Sequence, residues 1–310
     1  MGQIETLLSL FLVVFIGFLA GRLKLIDSSA AKIFMRFVFY IAIPIAVFLD
    51  FSTSDKELLA SYPKFIIVNT AILVGLCLLL FLVLRYFRVN RQSSGSILFT
   101  SLDGNVMYFG LPILLSVYSK EHFTLGVVHS IVAVTILEVF GFFLLNVMKH
   151  NKKFNILGEI VALFKNPIVI GGIAGLILLL LGVNLEEIHP SINNSFVTLS
   201  KTTTGLALFT LGLYLSQNIR VKNLKFVLFA SANKLILLPL IVYFIVFYLI
   251  KLDPVAAQTS VVQAAMPSAV FTLAVSEMYD LDREQTSSTI MVSSILFLLT
   301  SALILALPKM

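Results

Sequence analysis

The sequence predicts an all-α polytopic membrane protein of ten transmembrane helices, built as a five-plus-five inverted repeat with broken helices at spans four and nine. Composition, the placement of positive charge and two interruptions in apolar runs predict it. Apolar residues make up 59% of the chain and charged ones 12%, against roughly 45–50% and 25% in soluble domains. A water-soluble fold of 310 residues has too few charges to cover that much apolar surface, whereas lipid can solvate the excess. No Ser/Pro-rich linker or low-complexity tract divides the chain, so it reads as one membrane domain, residues 1–150 forming the first repeat and 151–310 the second.

A span needs about 20 mostly apolar residues. Taken in order, such runs occupy about 5–23, 32–51, 63–87, 95–118 and 123–148, then about 166–183, 195–217, 223–250, 255–278 and 285–308. The first run has acidic Glu5 ahead of it, and its basic residues, Arg22 and Lys24, follow it. It therefore reads as a retained span and not as a cleaved leader, whose basic region comes first. Cys77 is the single cysteine and sits among leucines, so no disulfide framework and no thiolate metal site are expected.

Charge orients the spans. Alternate loops hold Arg22, Lys24, Lys32 and Arg36; Arg85, Arg88 and Arg91; Lys149, Lys152, Lys153 and Lys165; Arg220, Lys222 and Lys225; and Arg283. The opposite side holds only Lys56, Lys64, Lys120, Lys201, Lys251 and Lys309. Positive residues concentrate in cytoplasmic loops, which places both termini outside. The net charge of +6 is thus a topology signal and a contact with anionic lipid headgroups, not a nucleic-acid patch.

An odd number of spans per half makes the second half cross in the opposite sense, which is the inverted-repeat pattern of secondary transporters. Each fourth span is interrupted. The first reads Ser101-Leu102-Asp103-Gly104-Asn105, then Gly110-Leu111-Pro112; the second reads Gln263-Ala264-Ala265-Met266-Pro267-Ser268. Gly and Pro are the poorest helix formers, and Pro also removes a donor from the ladder. Freed backbone groups are tolerated at membrane depth only against protein or a wet cavity. Paired breaks at corresponding positions therefore point to a midplane binding site, and half-helices beginning there would offer amide donors to an anion. Pro44, Pro112 and Pro239, taken singly, read as kinks.

Gly104-Asn105 followed by Gly110-Leu111-Pro112-Ile113-Leu114, together with Ala264-Ala265-Met266-Pro267-Ser268, resembles the auxin efflux carrier family, including its bacterial members. The resemblance covers essentially the whole chain. It implies a fold shared with bile-acid carriers and sodium/proton antiporters, in which spans four and nine unwind and cross in a transport domain that moves against a scaffold. By that resemblance Gly104, Asn105, Met266, Pro267 and Ser268 form the substrate site, with Asp103, Gly110 and Pro112 at the helix break. Plant members carry proline at the first crossover, where this chain has Gly104, and many carry a long central loop that is absent here. Bacterial relatives imply malate, malonate or a similar carboxylate as substrate, and the family implies a homodimer through the scaffold.

Ionisable and polar residues inside spans are candidates for charge balance or coupling. Asp103 could bind a proton or cation, or cap its half-helix. Lys234 could neutralise a substrate carboxylate or occupy the place of a bound cation, with Asn69 as its repeat-related partner. Glu138 could pair with Lys234, carry a proton, or serve structure alone. His122, His150 and His189 fall in loops, Glu277, Asp280 and Asp282 read as a solvated face, and His129, about two turns inside span five, reads as packing in preference to a proton switch. No GxxxxGK[ST] run exists for nucleotide drive and no HExxH for a zinc protease, and no cofactor or metal is expected. The function expected is transport of a small organic anion across a bacterial inner membrane, coupled to protons or sodium or to neither. A membrane sensor or channel on a transporter fold is the alternative.

Overall fold

The computed structural model describes residues 3–27, 29–53, 56–148, 164–183, 189–216, 221 and 223–305. It is helical throughout the described elements, and its only β-type pairing there is one isolated antiparallel bridge, Gly104 to Ser268. The chain folds into two compact units, each drawing on early and late sequence.

The first unit takes Met1–Tyr62, Met107–Val127 and Ile160–Asn218. It contains α1 (Gln3–Arg22), α2 (Ala30–Phe37) and α3 (Ile43–Ser52). The second takes Pro63–Val106, Val128–Glu159 and Ile219–Met310. Helix α4 (Lys56–Tyr86) belongs mostly to it, as does α5 (Arg91–Leu102). The chain then returns to the first unit for α6 (Leu111–Val117) and the start of α7 (Lys120–Ile136), whose end and α8 (Phe142–Met148) lie in the second. Helices α9 (Pro167–Leu181) and α10 (Pro190–Leu215) complete the first unit. The second is completed by α11 (Leu224–Ala232), α12 (Leu238–Phe244), α13 (Pro254–Ala264), α14 (Thr272–Met278) and α15 (Arg283–Leu305).

In the first unit α1 lies along α10, and α3 packs against both α9 and α10. The approach is close because the contact positions have no side chain. A Cβ on Gly17 would strike the backbone of Phe209, and one on Gly212 the backbone of Val14. Small residues that let backbones meet are how helices associate in lipid, where burial of apolar surface gives no drive. Helix α9 starts at Asn166, whose side chain accepts from the Ile168 amide at 2.9 Å, and ends at Gly182, left-handed at φ 68°. Between α1 and α2, the Ser29 hydroxyl and amide hold the Asp27 carboxyl below the usual carboxylate range.

In the second unit α11 packs on α15, and α5 touches α11, α14 and α15. Helices α5 and α13 begin alike. Asn90 accepts from the Ser93 amide at 2.9 Å and Asp253 from the Val255 amide at 3.0 Å. Each cap follows a turn with one left-handed residue, Arg88 and Lys251 respectively.

The helices at 30–52, 62–86, 190–215 and 224–249 are long and apolar enough to cross a membrane, and 8–22, 106–117 and 167–181 are shorter apolar helices. Their outward faces carry large apolar side chains, Ile67 at 68% and Leu180 at 69% exposure among them, which calls for an apolar surround.

Pro44, Pro112 and Pro239 share one setting, more specific than a kink. Each stands in the first turn of an α-helix that directly follows a π-helical turn: Val38–Ala42, Val106–Gly110 and Asn233–Leu237. A proline clashes with the carbonyl four residues back and cannot donate to it. The wider π turn relieves both demands within a continuous helix.

Candidate functional site

The site lies in the second unit, where α5 and α13 both stop short. Helix α5 ends at Leu102, and Asp103 turns to extended backbone. Helix α13 ends at Ala264, and α14 does not begin until Thr272. The two extended pieces pair with each other. The Asn105 amide donates to the Pro267 carbonyl at 2.7 Å and the Ala269 amide to the Asp103 carbonyl at 2.9 Å, around the Gly104–Ser268 bridge. The backbone groups freed by both breaks thus satisfy each other, as burial demands.

Two further carbonyls, in the last turns of α5 and α13, are met by side chains. The Ser268 hydroxyl donates to Thr100 O at 2.6 Å, and the Lys234 ammonium donates to Ala264 O at 2.8 Å. Thr100 and Ala264 have the same spacing along the chain as Gly104 and Ser268, so one half of the crossing uses a hydroxyl where the other uses a cation. The negative end of a helix dipole favours that cation. Ser293 of α15 fixes the Ser268 amide at 3.1 Å.

Lys234 is 1% exposed. Its Nζ lies against Gly104, where a Cβ would come within 2.8 Å of it. Gly104 is outside the left-handed region, so it serves here by leaving room and not by conformational freedom. Asp103 supplies the opposite charge that interacts with Lys234. Asn105 is 3% exposed, and its side-chain Oδ1 is sealed from solvent with no hydrogen-bond partner among the described residues. A buried polar atom left in this state costs about 1–3 kcal/mol and marks where a ligand group can be received.

Beside the crossing lies a cavity of ≈ 20 Å³ bordered by Asn69, Gly104, His129, Lys234, Gln263 and apolar side chains. That is room for about one water. Asn69 donates to Phe65 O at 2.9 Å and to Ser260 Oγ at 3.1 Å, and its Oδ1 meets His129 Nδ1 at 3.1 Å. Gln263 Nε2 donates to Ser130 Oγ at 3.3 Å.

A family model described as membrane transport protein matches residues 3–305. The chain belongs to that family. This is the auxin efflux carrier grouping that the two crossover motifs resemble. The uncharacterized transporter MJ1031 of Methanocaldococcus jannaschii is 27% identical over 311 residues, covering 96% of both chains. The uncharacterized transporter YfdV of Escherichia coli K12 is 22% identical over 307 residues, covering 97% of this chain and 96% of its own.

In this membrane transport protein the residues singled out from sequence are distributed as follows. Asp103, Gly104, Asn105, Pro267 and Ser268 meet at the crossing, and Met266 is buried beside it. Lys234 and Asn69 border one cavity, but the hydrogen bonds of Asn69 go to Phe65, Ser260 and His129. Gly110 closes a π-helical turn and Pro112 lies in the first turn of α6, so the chain breaks at 103–105 ahead of both. After the first break a π-helical turn and α6 run as one helix over 106–117, and after the second α14 has seven residues. The C-termini of α5 and α13 both end at the crossing.

Glu138 falls on the π-helical turn Leu137–Gly141, and its side chain lies outside the described residues, as does that of Glu277. His150 is also outside them. His122 stands in the first turn of α7, not in a loop, with Ser119 Oγ at 2.7 Å from its Nδ1. Sequence reasoning read His129 as packing, quoted Gln263 only as part of the second break, and did not single out Ser260 or Thr100. Their signal was polar side chains recurring inside apolar spans, weak singly because hydroxyls also bond their own helix carbonyls, as Ser260 does to Ala256 at 3.0 Å.

Proposed function

We propose that this chain is a secondary transporter that moves a small organic anion, a mono- or dicarboxylate such as malate or malonate, across the bacterial plasma membrane by elevator-like alternating access. One observation carries the reading: a buried ammonium and an amide oxygen without a partner stand where two extended segments cross within a membrane transport family chain. Interrupted helices in transporters hold substrate where their backbones part, and Lys234 supplies the positive charge that a carboxylate seeks. Asn105 would meet a hydroxyl or protonated carboxyl of the acid through Oδ1, Ser268 would hold the crossing through its bonds to Thr100 O and Ser293, and Gly104 would admit the acid close to the backbone.

The matched caps and left-handed turns ahead of α5 and α13, and the equal spacing of Thr100 with Ala264 and Gly104 with Ser268, support a ten-span inverted repeat. The distribution of Lys and Arg supports both termini outside. The family resemblance supports a homodimer through the scaffold.

Counterflow in proteoliposomes tests the function. Vesicles preloaded with each of a panel of unlabelled carboxylates should take up the same labelled acid transiently and saturably, and Asn105→Ala should lose this. Flux that rises without saturation would make the protein a channel. Binding of an acid with no flux would make it a sensor.

A further inference from the structure

The network beside the crossing fixes the tautomer of a buried histidine. A backbone carbonyl can only accept, so the Asn69 atom facing Phe65 O is the amide nitrogen. Ser260 agrees: its hydroxyl proton goes to Ala256 O, so it must accept from Asn69. Asn69 therefore turns its oxygen to His129, and His129 Nδ1 must carry the hydrogen of that 3.1 Å bond. In the neutral ring the other nitrogen, Nε2, is then a bare acceptor. His129 is 5% exposed, is bonded through Nδ1 alone among the described residues, and borders the one-water cavity together with Lys234.

We infer that His129 Nε2 is a proton-binding site of the transport core, one water away from Lys234, and that the proton it takes is the coupling ion of the carrier. This rests on the anion-transport reading above. The step is simple in balance: hydronium in the cavity gives its proton to Nε2, an N–H bond forms, an imidazolium results and water remains.

The charges facing the pair explain why proton and anion would travel together. From the end of α5 comes Asp103, which interacts with Lys234. From α4 comes the neutral Cys77 thiol, within reach of Asp103. From the turn Asn233–Leu237 comes Lys234, which also interacts with His129, and α13 contributes the uncharged Gln263 and Ser260. Among these described side chains Lys234 and Asp103 offset each other, leaving the core without net charge while His129 is neutral. A proton on His129 makes the core positive and faces a like charge on Lys234. It is held well only when a carboxylate joins them. By linkage the proton favours the anion to the same degree.

Two measurements test this. In proteoliposomes clamped at zero potential, with malate as first probe, net uptake driven by an inward proton gradient is compared with counterflow in the same vesicles. One proton per anion makes accumulation rise about tenfold per pH unit of gradient. His129→Asn keeps a donor for Asn69 Oδ1 and lacks Nε2, so its ratio of gradient-driven accumulation to counterflow should fall to the level without a gradient. A wild-type chain that exchanges acids but ignores the gradient, or a His129→Asn chain that still follows it, overturns the inference while leaving the carrier in place. Absence of exchange would defeat the carrier reading instead.

The site itself is read without transport, by nitrogen NMR of a chain in which His122, His150 and His189 are glutamine. The single ring should be the Nδ1–H tautomer with bare Nε2, and a neutral ring protonated at Nε2 overturns the proposal.

Discussion

Lys234 and Gly104 are complementary: the ammonium occupies the space that a side chain at 104 would fill, with Nζ 2.8 Å from where that Cβ would be and 2.8 Å from the Ala264 carbonyl. Gly104→Ala must therefore push the ammonium off its carbonyl or open the crossing. We expect a chain that still inserts but loses exchange, checked by counterflow alongside size-exclusion of the purified protein.

Removing the ammonium has a different result. Lys234→Met leaves the buried Ala264 O without its donor and removes the charge that interacts with Asp103. A buried acceptor left without its donor costs about 1–3 kcal/mol. The measurement is a lowered unfolding temperature in detergent, followed by tyrosine fluorescence because the chain has no tryptophan. Asp103→Asn together with Lys234→Met should recover part of the loss.

Ser268→Ala removes the 2.6 Å bond to Thr100 O and leaves that carbonyl buried and unpaired. The expected cost is about 1–3 kcal/mol, read in the same thermal assay. Ser268→Cys, which restores only a weak donor, should fall between alanine and wild type.

Asn105→Asp keeps the size of the side chain and adds a negative charge at the crossing. If the ligand is a carboxylate, its half-saturation in counterflow should rise at least about tenfold, corresponding to roughly 1.4 kcal/mol. Unchanged half-saturation would remove Asn105 from the anion site.

In the first unit, Gly212→Leu sets a branched side chain against the backbone of Val14 on α1. Overpacking at such a contact costs about 1–3 kcal/mol. The expected outcome is a fall in folded yield, measured as the monodisperse fraction after purification.

The breaks at 103–105 and 265–271 were legible in the sequence because Asp-Gly-Asn and Met-Pro-Ser are written in residue types that end helices. The depth of Lys234 was legible from its distance to the nearest polar flank. The place of Pro112 was not, since a proline announces a lost hydrogen bond but not the π turn that absorbs it. The hydrogen-bonded setting of His129 was not legible either. Its partner Asn69 lies a helix away, and contact between α4 and α7 is a matter of tertiary packing that no local periodicity encodes. Thr100 and Ala264 contribute carbonyl oxygens, which every residue has, so no residue type could have marked them.

The π-helical turns have a consequence for how these helices can vary. Each holds one more residue than the α-helical turn it replaces, and one residue corresponds to about 100° of rotation. Through Asn233–Leu237, everything after the turn is therefore swung round relative to Lys234, and a helical wheel drawn across 224–249 assigns faces wrongly on one side of it. Deleting a single residue there would straighten the helix and turn the ammonium away from the crossing without altering any side chain. In this protein the spacing between residues is inherited information in its own right, and a change in length is a heavier edit than a change in letter.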